Sequence, residues 1–207
     1  MSATPSTGYK VKSVSAKKTA SGDALTVTNN KFTMPAEAVT VSAEFEEAGQ
    51  GGGELKTYSH IFSTKPNTGN NISLSNIAWN IAAENLNNYN SGYAGVQFGT
   101  SSKVGSITLT SSSAWSYQSA TNIKEIRVWI NTGGGTITPT VSIGGTNVAS
   151  DGTTISKKSS LNDDYTKANK VTFKPSSSLT GVVVIKLEKK TAKEAAGYIC
   201  AIEIDAN

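Results

Sequence analysis

The chain has 207 residues and a net charge of +4, and 69 of its residues are Ser, Thr or Asn. Isoleucine and valine together number 29, against eight leucines. Because β-branched side chains are stiff at χ1 and suit pleated sheet, this excess excludes an all-helical fold. Among 19 basic residues only Arg127 carries the forked guanidinium that nucleic acid recognition favours, so we expect no nucleic acid partner. No apolar run approaches the roughly 18 residues of a membrane-spanning helix, so we expect no transmembrane segment.

The first part of the chain, residues 1–48, has the pattern of a small β unit. Residues 39–46 alternate apolar and polar side chains with a period of two, which predicts a strand with one buried face. Two shorter alternating runs, residues 9–11 and 25–27, predict two more strands. A unit of about 48 residues buries too little surface to be comfortably stable alone. We therefore expect that the unit is truncated or that a neighbour completes it, through domain swapping or contact with another chain.

A glycine-rich segment at residues 49–54 predicts a flexible linker to a second unit, residues 55–207. Many short strands in this unit predict a β-sandwich or jelly roll. They are expected at residues 55–62, 77–81, 94–98, 107–111, 123–131, 138–143, 171–173, 182–188 and 198–204. Two glycines in residues 143–148 predict a tight hairpin. The stretch at 191–196 has helical composition but is short enough to be a loop turn.

Alternation also predicts which side chains form the core of the second unit. Trp79 lies between apolar residues two positions away on either side, and we assign it to packing. The other expected core positions are Val96, Phe98, Ile107, Leu109, Ile126, Val128, Ile130, Val183, Ile185, Leu187, Cys200, Ile202 and Ile204.

Three segments of the first unit resemble a known repeat family. Residues 8–14 read GYKVKSV, residues 32–35 read FTMP and residues 39–45 read VTVSAEF. Together they make residues 3–46 similar to a divergent internalin-type B-repeat. Such repeats occur, usually in tandem, in secreted and wall- or membrane-anchored bacterial surface proteins, and the family pattern has another strand region before the tyrosine. The resemblance implies an extracellular location at a bacterial cell surface.

The second unit also has a familiar pattern, carried by residues 58–62, 77–79, 95–102, 107–111, 141–146 and 201–204. Residues 55–206 are similar to a jelly-roll-like accessory domain of secreted bacterial lipoproteins, adhesins and extracellular hydrolases. The two resemblances together imply an all-β chain, made of a small β unit and a jelly-roll-like antiparallel β-sandwich. They imply a noncatalytic function.

Few side chains of the sequence are suited to catalysis or metal binding. His60 is interpreted as a hydrogen-bonded structural histidine, and Cys200 as a buried residue of low reactivity. One histidine and one cysteine are too few for a zinc site within one chain. The run at residues 162–164 lacks the spacing of a calcium loop and predicts a solvated turn. We expect no catalytic residue, no metal and no cofactor.

One candidate binding cluster combines aromatic and amide side chains. Aromatic faces stack on the apolar faces of sugars while amides bond the hydroxyls, so this composition favours a glycan. It is equally typical of an ordinary Asn-rich turn. The cluster consists of Asn87, Asn88, Tyr89 and Tyr93 in the polar loop at 84–93, joined by Trp115 and Tyr117.

Arg127 and Trp129 form a second candidate, an interface for a partner. Alternation turns both away from Ile126 and Val128, toward solvent or a covering loop. Exposed Arg and Trp are enriched at interfaces, but an intramolecular cation–π pair would explain them as well.

The expected function is therefore a noncatalytic adhesion or binding module of a secreted bacterial protein. The expected partner is a glycan or a host or bacterial surface protein. Two alternatives remain open: a carbohydrate-binding accessory module of a secreted hydrolase, and a structural spacer. An enzyme would require an acid pair or a Ser–His contact in a cleft.

Overall fold

A computed structural model of the chain describes residues 4, 9–28, 31–47, 54–192 and 195–207. The chain divides into two units, Met1–Gly52 and Gly53–Asn207. The expected linker at 49–54 lies outside the described residues except for Glu54, as does part of the stretch at 191–196. The described regular structure is strand apart from two three-residue 3-10 turns, so the all-β prediction is confirmed. In the described residues, no helix has the length and hydropathy needed to span a membrane.

The first unit contains a three-stranded antiparallel sheet, made of β1 (Tyr9–Lys18), β2 (Ala24–Leu25) and β3 (Val39–Glu47). The strand order is β2-β1-β3, so the described strands pair within residues 1–48 and need no exchange with another chain. Residues directly opposite each other share a face of a sheet, and Val14 lies opposite Ala43 and Ala16 opposite Val41. The apolar residues therefore fall on one face of this sheet.

The second unit is built from twelve strands. They are β4 (Lys56–Ile61), β5 (Gly69–Leu74), β6 (Ile77–Glu84), β7 (Leu86–Asn90), β8 (Gly95–Phe98), β9 (Gly105–Ser111), β10 (Ile123–Thr132), β11 (Thr138–Ile143), β12 (Thr146–Val148), β13 (Asn169–Phe173), β14 (Val183–Lys189) and β15 (Gly197–Ala206). The 3-10 turns are Ser91–Tyr93 and Tyr165–Lys167.

These strands form two antiparallel sheets of six strands each. The front sheet has the order β13-β10-β15-β8-β7, and β4 also pairs with β15. The back sheet has the order β12-β11-β14-β9-β6-β5. Strand β15 has ten residues, long enough to pair with β8 along its first part and with β4 along its second.

The core lies between the two sheets because each long strand presents alternate apolar residues inward. All the core positions expected from alternation are buried, and Trp79 is completely buried. Its indole nitrogen donates to the hydroxyl of Tyr58 over 3.1 Å, and that hydroxyl donates to the carbonyl oxygen of Leu74 over 2.6 Å. The polar ends of these rings are therefore satisfied inside the core.

Two strands were not expected. Strand β5 was missed, and β7 occupies most of the segment that we expected to be a polar loop. Asparagine is depleted in strands, and β7 contains three asparagines in five residues. Strand β7 is at the edge of the front sheet, where polar side chains can face solvent.

Cys200 is buried, but outside the core between the sheets. The pairing of β15 with β10 skips Cys200, which makes it the extra residue of a bulge. The alternation inverts at this point, so Ile199 joins Ile202 in the main core and Cys200 packs on the outer face of the front sheet. The expectation that Cys200 belongs to the same core as Ile202 was wrong, because a bulge shifts the period by one residue.

Residues 156–168 form a covering segment on that outer face. Two buried amides hold its backbone as a neighbouring strand would. Asn131 donates to the Lys158 carbonyl oxygen over 2.9 Å and accepts from its N–H over 3.0 Å. Asn169 donates to the Ser156 carbonyl oxygen over 2.7 Å and accepts from its N–H over 3.2 Å. A segment without regular structure is thereby fixed to the sheet.

Candidate functional site

The expected polar loop and the covering segment meet at the β7 edge of the front sheet. The backbone N–H of Leu161 donates to the Gly92 carbonyl oxygen, and that of Asp163 donates to the Ser91 carbonyl oxygen, both over 3.1 Å. The hydroxyl of Tyr89 donates to Oδ1 of Asp163 over 2.6 Å. We call residues 85–94 and 158–165 together the junction. Two segments about 70 residues apart in sequence thus form one surface.

The backbone of the junction is conformationally unusual. Of the ten described non-glycine residues with positive φ, five lie here. They are Asn85 (51°), Ala94 (50°), Ser160 (60°), Asn162 (51°) and Asp163 (67°). Residues with a side chain rarely adopt the left-handed region, and such residues cluster at binding sites, where the surrounding structure holds them. The hydrogen bonds between the two segments provide that restraint.

Aromatic rings lie along the outer face next to the junction. Tyr93 stacks on Tyr198 with ring centroids 4.2 Å apart and an angle of 7° between the planes. Tyr198 is buried, and burial raises its pKa to about 12, whereas Tyr93 is half-buried. Since Tyr198 covers one face of the Tyr93 ring, the remaining surface of Tyr93 is what the pair offers to a ligand.

The predicted amides differ in how far they are already used. Asn88 is exposed, and its side chain makes no hydrogen bond to the described residues. Asn162 was not expected as a binding residue. It is also exposed, and its side chain makes no hydrogen bond to the described residues. Asn87 is half-buried and donates to the Asn85 carbonyl oxygen over 3.4 Å. Asn88 and Asn162 therefore have both amide groups free of hydrogen bonds to the described residues.

Trp115 and Tyr117 do not join this cluster, contrary to expectation. Trp115 is only 2% exposed and belongs to the core between the sheets. Its ring packs edge-on against Tyr58 at 5.3 Å, and Tyr117 packs against the same ring at 5.7 Å. The alternation around Trp115 predicted which side of the extended segment its ring lies on, but not which residues cover the ring. A buried indole offers no stacking surface, so the assignment of Trp115 as a ligand-binding residue is corrected.

Trp129 does lie on the outer face, as alternation predicted, but it is covered. It is 8% exposed and packs edge-on against Tyr165 of the covering segment, with ring centroids 5.5 Å apart. The predicted side was right, and the covering loop was one of the two environments expected. Trp129 is therefore not an exposed interface residue.

Arg127 is engaged within the chain. Its guanidinium bonds Asp205 through two nitrogens, at 2.6 and 3.0 Å, Glu125 at 2.8 Å and Glu203 at 3.0 Å. The hydrogen bond to Asp205 is the largest of the effects that raise the pKa of Arg127. Three carboxylates around one guanidinium explain Arg127 without a partner protein, so its assignment as an interface residue is corrected as well.

His60 is hydrogen-bonded to a serine, which is the Ser–His contact that a serine enzyme would require. Its Nδ1 lies 2.9 Å from Oγ of Ser75, and its ring packs edge-on against Phe62 at 4.7 Å. Burial lowers the pKa of His60, which favours the neutral imidazole. A serine nucleophile also needs a group that orients the base, and no acidic side chain of the described residues is bonded to His60.

The acidic turn within the junction is used for local structure. Asp164 accepts from the Thr166 N–H over 3.1 Å, which caps the second 3-10 turn, and pairs with Lys167 at 3.0 Å. In the part of the chain that the structure describes, no three His, Cys, Asp or Glu side chains are grouped to hold a metal ion. Burial raises the pKa of Cys200 to about 12, so its thiol is protonated at neutral pH.

Comparison with known proteins relates the first unit to one family. Residues 1–49 match the divergent InlB B-repeat domain, which supports the resemblance that the sequence of residues 3–46 shows. No curated protein and no solved structure gives a significant match to the chain. The similarity of residues 55–206 to a jelly-roll-like accessory domain stays a prediction.

Proposed function

We propose that this chain is a noncatalytic binding module of a bacterial cell-surface protein, and that the junction is its binding site. The observation that carries the proposal is the convergence of two distant segments into one restrained surface with half-buried Tyr93 and exposed Asn88 and Asn162. Binding residues are commonly displayed on loops that a rigid scaffold positions. Here the front sheet is that scaffold, and the amides Asn131 and Asn169 fix the covering segment to it.

The match of the first unit to B-repeats is compatible with a surface-associated module. It supports an extracellular setting for the chain. In such a setting the second unit would present the junction to a partner, which is the adhesion function that we propose.

A carbohydrate partner is the second candidate, favoured by the side chains of the junction. A tyrosine ring can stack on the apolar face of a sugar, while exposed amides bond its hydroxyls. Tyr93, Asn88 and Asn162 supply these two kinds of group within the two segments of the junction. This candidate includes the role of an accessory module for a secreted hydrolase.

The test compares binding by the full chain with binding by a junction variant. The chain is labelled and applied to glycan arrays and to intact bacterial and host cells. We expect the double variant Tyr93→Ala/Asn162→Ala to lose at least about tenfold in affinity, because it removes both the ring and an amide. The matched control, Tyr117→Ala/Asn147→Ala, changes a half-buried tyrosine and an exposed asparagine away from the junction.

Each result has a defined meaning. Loss of binding in the junction variant alone supports the proposal, and binding to glycans selects the carbohydrate candidate. Equal binding by the junction variant and the control, or no binding to cells or glycans, would reject the junction and favour a structural spacer. Hydrolysis of model esters or glycosides that disappears in Ser75→Ala would contradict the noncatalytic proposal.

A further inference from the structure

The unpaired lysines of the second unit are concentrated in one part of the chain. Among the described residues, six exposed lysines of this unit form no ion pair and no side-chain hydrogen bond. Four of the six fall within residues 157–174. These four are Lys157, Lys158, Lys170 and Lys174, and the other two are Lys65 and Lys103. A surface of unpaired positive charge attracts anionic ligands.

Two of these lysines lie beside the aromatic ring of the junction. The side-chain amide of Asn131 holds the backbone of Lys158 on both sides. The same amide nitrogen also donates to the Tyr93 carbonyl oxygen over 3.3 Å. Lys158 and Tyr93 are therefore neighbours, and Lys157 is the next residue of the covering segment.

Lys170 reaches the same area from strand β13. It lies opposite Trp129 and so shares the outer face of the front sheet. The residue before it, Asn169, bonds the backbone N–H and carbonyl groups of Ser156. Since Lys157 follows Ser156, the contact between Asn169 and Ser156 brings Lys157 and Lys170 close together.

The nearby carboxylates are already engaged by other groups. Asp163 accepts a tyrosine hydroxyl, Asp164 pairs with Lys167, and Asp151 accepts two backbone N–H groups. Farther along the outer face, three more carboxylates bond Arg127. Among the described residues, no acidic side chain pairs with the three lysines, so their charge is available to a ligand.

We propose that Lys157, Lys158 and Lys170 bind the carboxylate or sulfate groups of an acidic glycan. This inference rests on the proposed function, because it names the class of ligand that the junction takes. The ring of Tyr93 stacks on a sugar, and the lysines neutralise the acidic groups of the same chain. Lysine suits such a ligand, because its flexible side chain carries a point charge that can follow acidic groups at varied positions. A nucleic acid is disfavoured, since the forked guanidinium of Arg127 is occupied elsewhere.

Titration of the full chain with oligogalacturonic acid and with its methyl ester tests the proposal. The two oligomers have the same sugar backbone, and only the acid is charged. We expect the acid to bind at least about tenfold more tightly at low salt, and this preference to shrink as salt screens the charges. Heparin is titrated in parallel. Tighter binding of heparin would select sulfate and tighter binding of the uronic acid would select carboxylate, and either result supports the proposal.

A double variant and a control with the same net charge locate the binding. Lys158→Gln/Lys170→Gln should weaken binding of the acid about tenfold. Both side chains are exposed and unpaired in the described structure, so the variant should fold normally. The control Lys56→Gln/Lys186→Gln should bind like the wild type. Lys56 lies opposite Ala206, at the end of β15 farthest from the junction, and Lys186 is on β14 of the back sheet.

The possible failures are distinguishable. Failure to bind either acidic glycan, an equal loss in the double variant and its control, or equal affinity for single-stranded DNA of the same charge would overturn the inference. Equal binding of the acid and the ester that Tyr93→Ala/Asn162→Ala abolishes would overturn the inference but keep the junction as a binding site. A loss in Lys158→Gln/Lys170→Gln without a loss in Tyr93→Ala/Asn162→Ala would support the lysines and reject the junction.

Discussion

The two units have the same strand pattern but bury it to different extents. Strand β3 alternates as regularly as β14, yet Val41 and Phe45 on β3 are exposed while Val183 and Leu187 on β14 are buried. The difference is the second layer: the two sheets of the sandwich cover each other, and the described part of the first unit has a single sheet. Alternation therefore identifies the apolar side of a strand but does not reveal what covers it.

The largest expected difference between the units comes from removing one aromatic side chain from each. Trp79→Ala should destabilise the sandwich by about 3–5 kcal/mol, because it leaves a cavity and removes the indole donor to the Tyr58 hydroxyl. Phe45→Ala should change the free energy of unfolding of the sandwich by less than about 0.5 kcal/mol, since Phe45 is half exposed. Urea unfolding monitored by tryptophan emission measures this, because the three tryptophans, Trp79, Trp115 and Trp129, all lie in the second unit.

Dilute protein is used, so that self-association does not contribute to the unfolding transition. If Phe45→Ala shifted the tryptophan transition as far as Trp79→Ala does, the two units would unfold as one. The contrast between a covered and an uncovered sheet would then be wrong.

The covering segment provides the next largest effect. Asn131→Ala leaves the N–H and carbonyl groups of Lys158 without their partner and should cost about 2–3 kcal/mol. The segment should also open more often, which trypsin cleavage after Lys157 and Lys158 would report. Asn88→Ala is the matched control: the same substitution at an exposed amide should change stability by less than about 0.5 kcal/mol. Equal cleavage rates in the two variants would show that Asn131 does not hold the segment.

Lowering the pH should destabilise the sandwich, in part because the Asp205 carboxylate becomes protonated. Burial acts to raise the pKa of Asp205, but hydrogen bonds from Arg127 and Thr57 outweigh it, and the pKa lies below its ordinary value of 3.8. Because the folded-state pKa is lowered, the stabilisation is complete well above the unfolded-state pKa and is lost as the pH falls through the folded-state pKa. Asp205→Asn should cost about 1–2 kcal/mol at pH 7, and this difference should shrink as the pH falls below 3.8 and disappear once the carboxyl is protonated in the folded state.

Denaturant unfolding of the Asp205→Asn variant at a series of pH values measures this effect. Asp164→Asn is a suitable control, because Asp164 pairs with the exposed Lys167 at the surface. A pair at the surface contributes little, because solvent and salt screen it, so Asp164→Asn should cost less than Asp205→Asn at pH 7. A difference between wild type and Asp205→Asn that persisted at low pH would show that the ionised carboxylate is not its source.

The sequence predicts the fold well where the signal is local. Period-two runs such as the one in β14 depend only on neighbouring residues, so they locate strands and their inward faces. Strand β7 is not predicted from the sequence, because its three asparagines disfavour a strand. Only its place at the edge of the sheet accommodates them. Cys200 is predicted on the wrong face because residues 198–202 are all apolar, so the sequence does not show where the bulge shifts the alternation.

The candidate site was predictable only in part, because it depends on contacts distant in sequence. Tyr89 and Tyr93 were expected from aromatic and amide composition, and they do lie at the junction. Asp163 was not, since nothing near it in sequence indicates that it accepts a hydrogen bond from Tyr89, 74 residues away. Trp115 is of a residue type that is typical of binding sites, but its ring packs against Tyr58 and is not at the surface. Composition identifies suitable side chains, and topology decides which of them meet.

The smallest expected effect concerns the hydroxyl of Tyr89. Tyr89→Phe removes the bond to Asp163 but keeps the ring, and should cost about 0.5–1.5 kcal/mol in denaturant unfolding. Burial, followed by the bond to Asp163 and its charge, raises the pKa of Tyr89 to about 12, so the loss should be constant between pH 6 and about pH 9. Tyr117→Phe is the control: its hydroxyl accepts from the exposed Gln118 over 3.3 Å, and its loss should be nearly neutral. If Tyr89→Phe were neutral too, the hydroxyl would contribute nothing to the junction. The restraint between its two segments would then rest on the backbone bonds at Leu161 and Asp163.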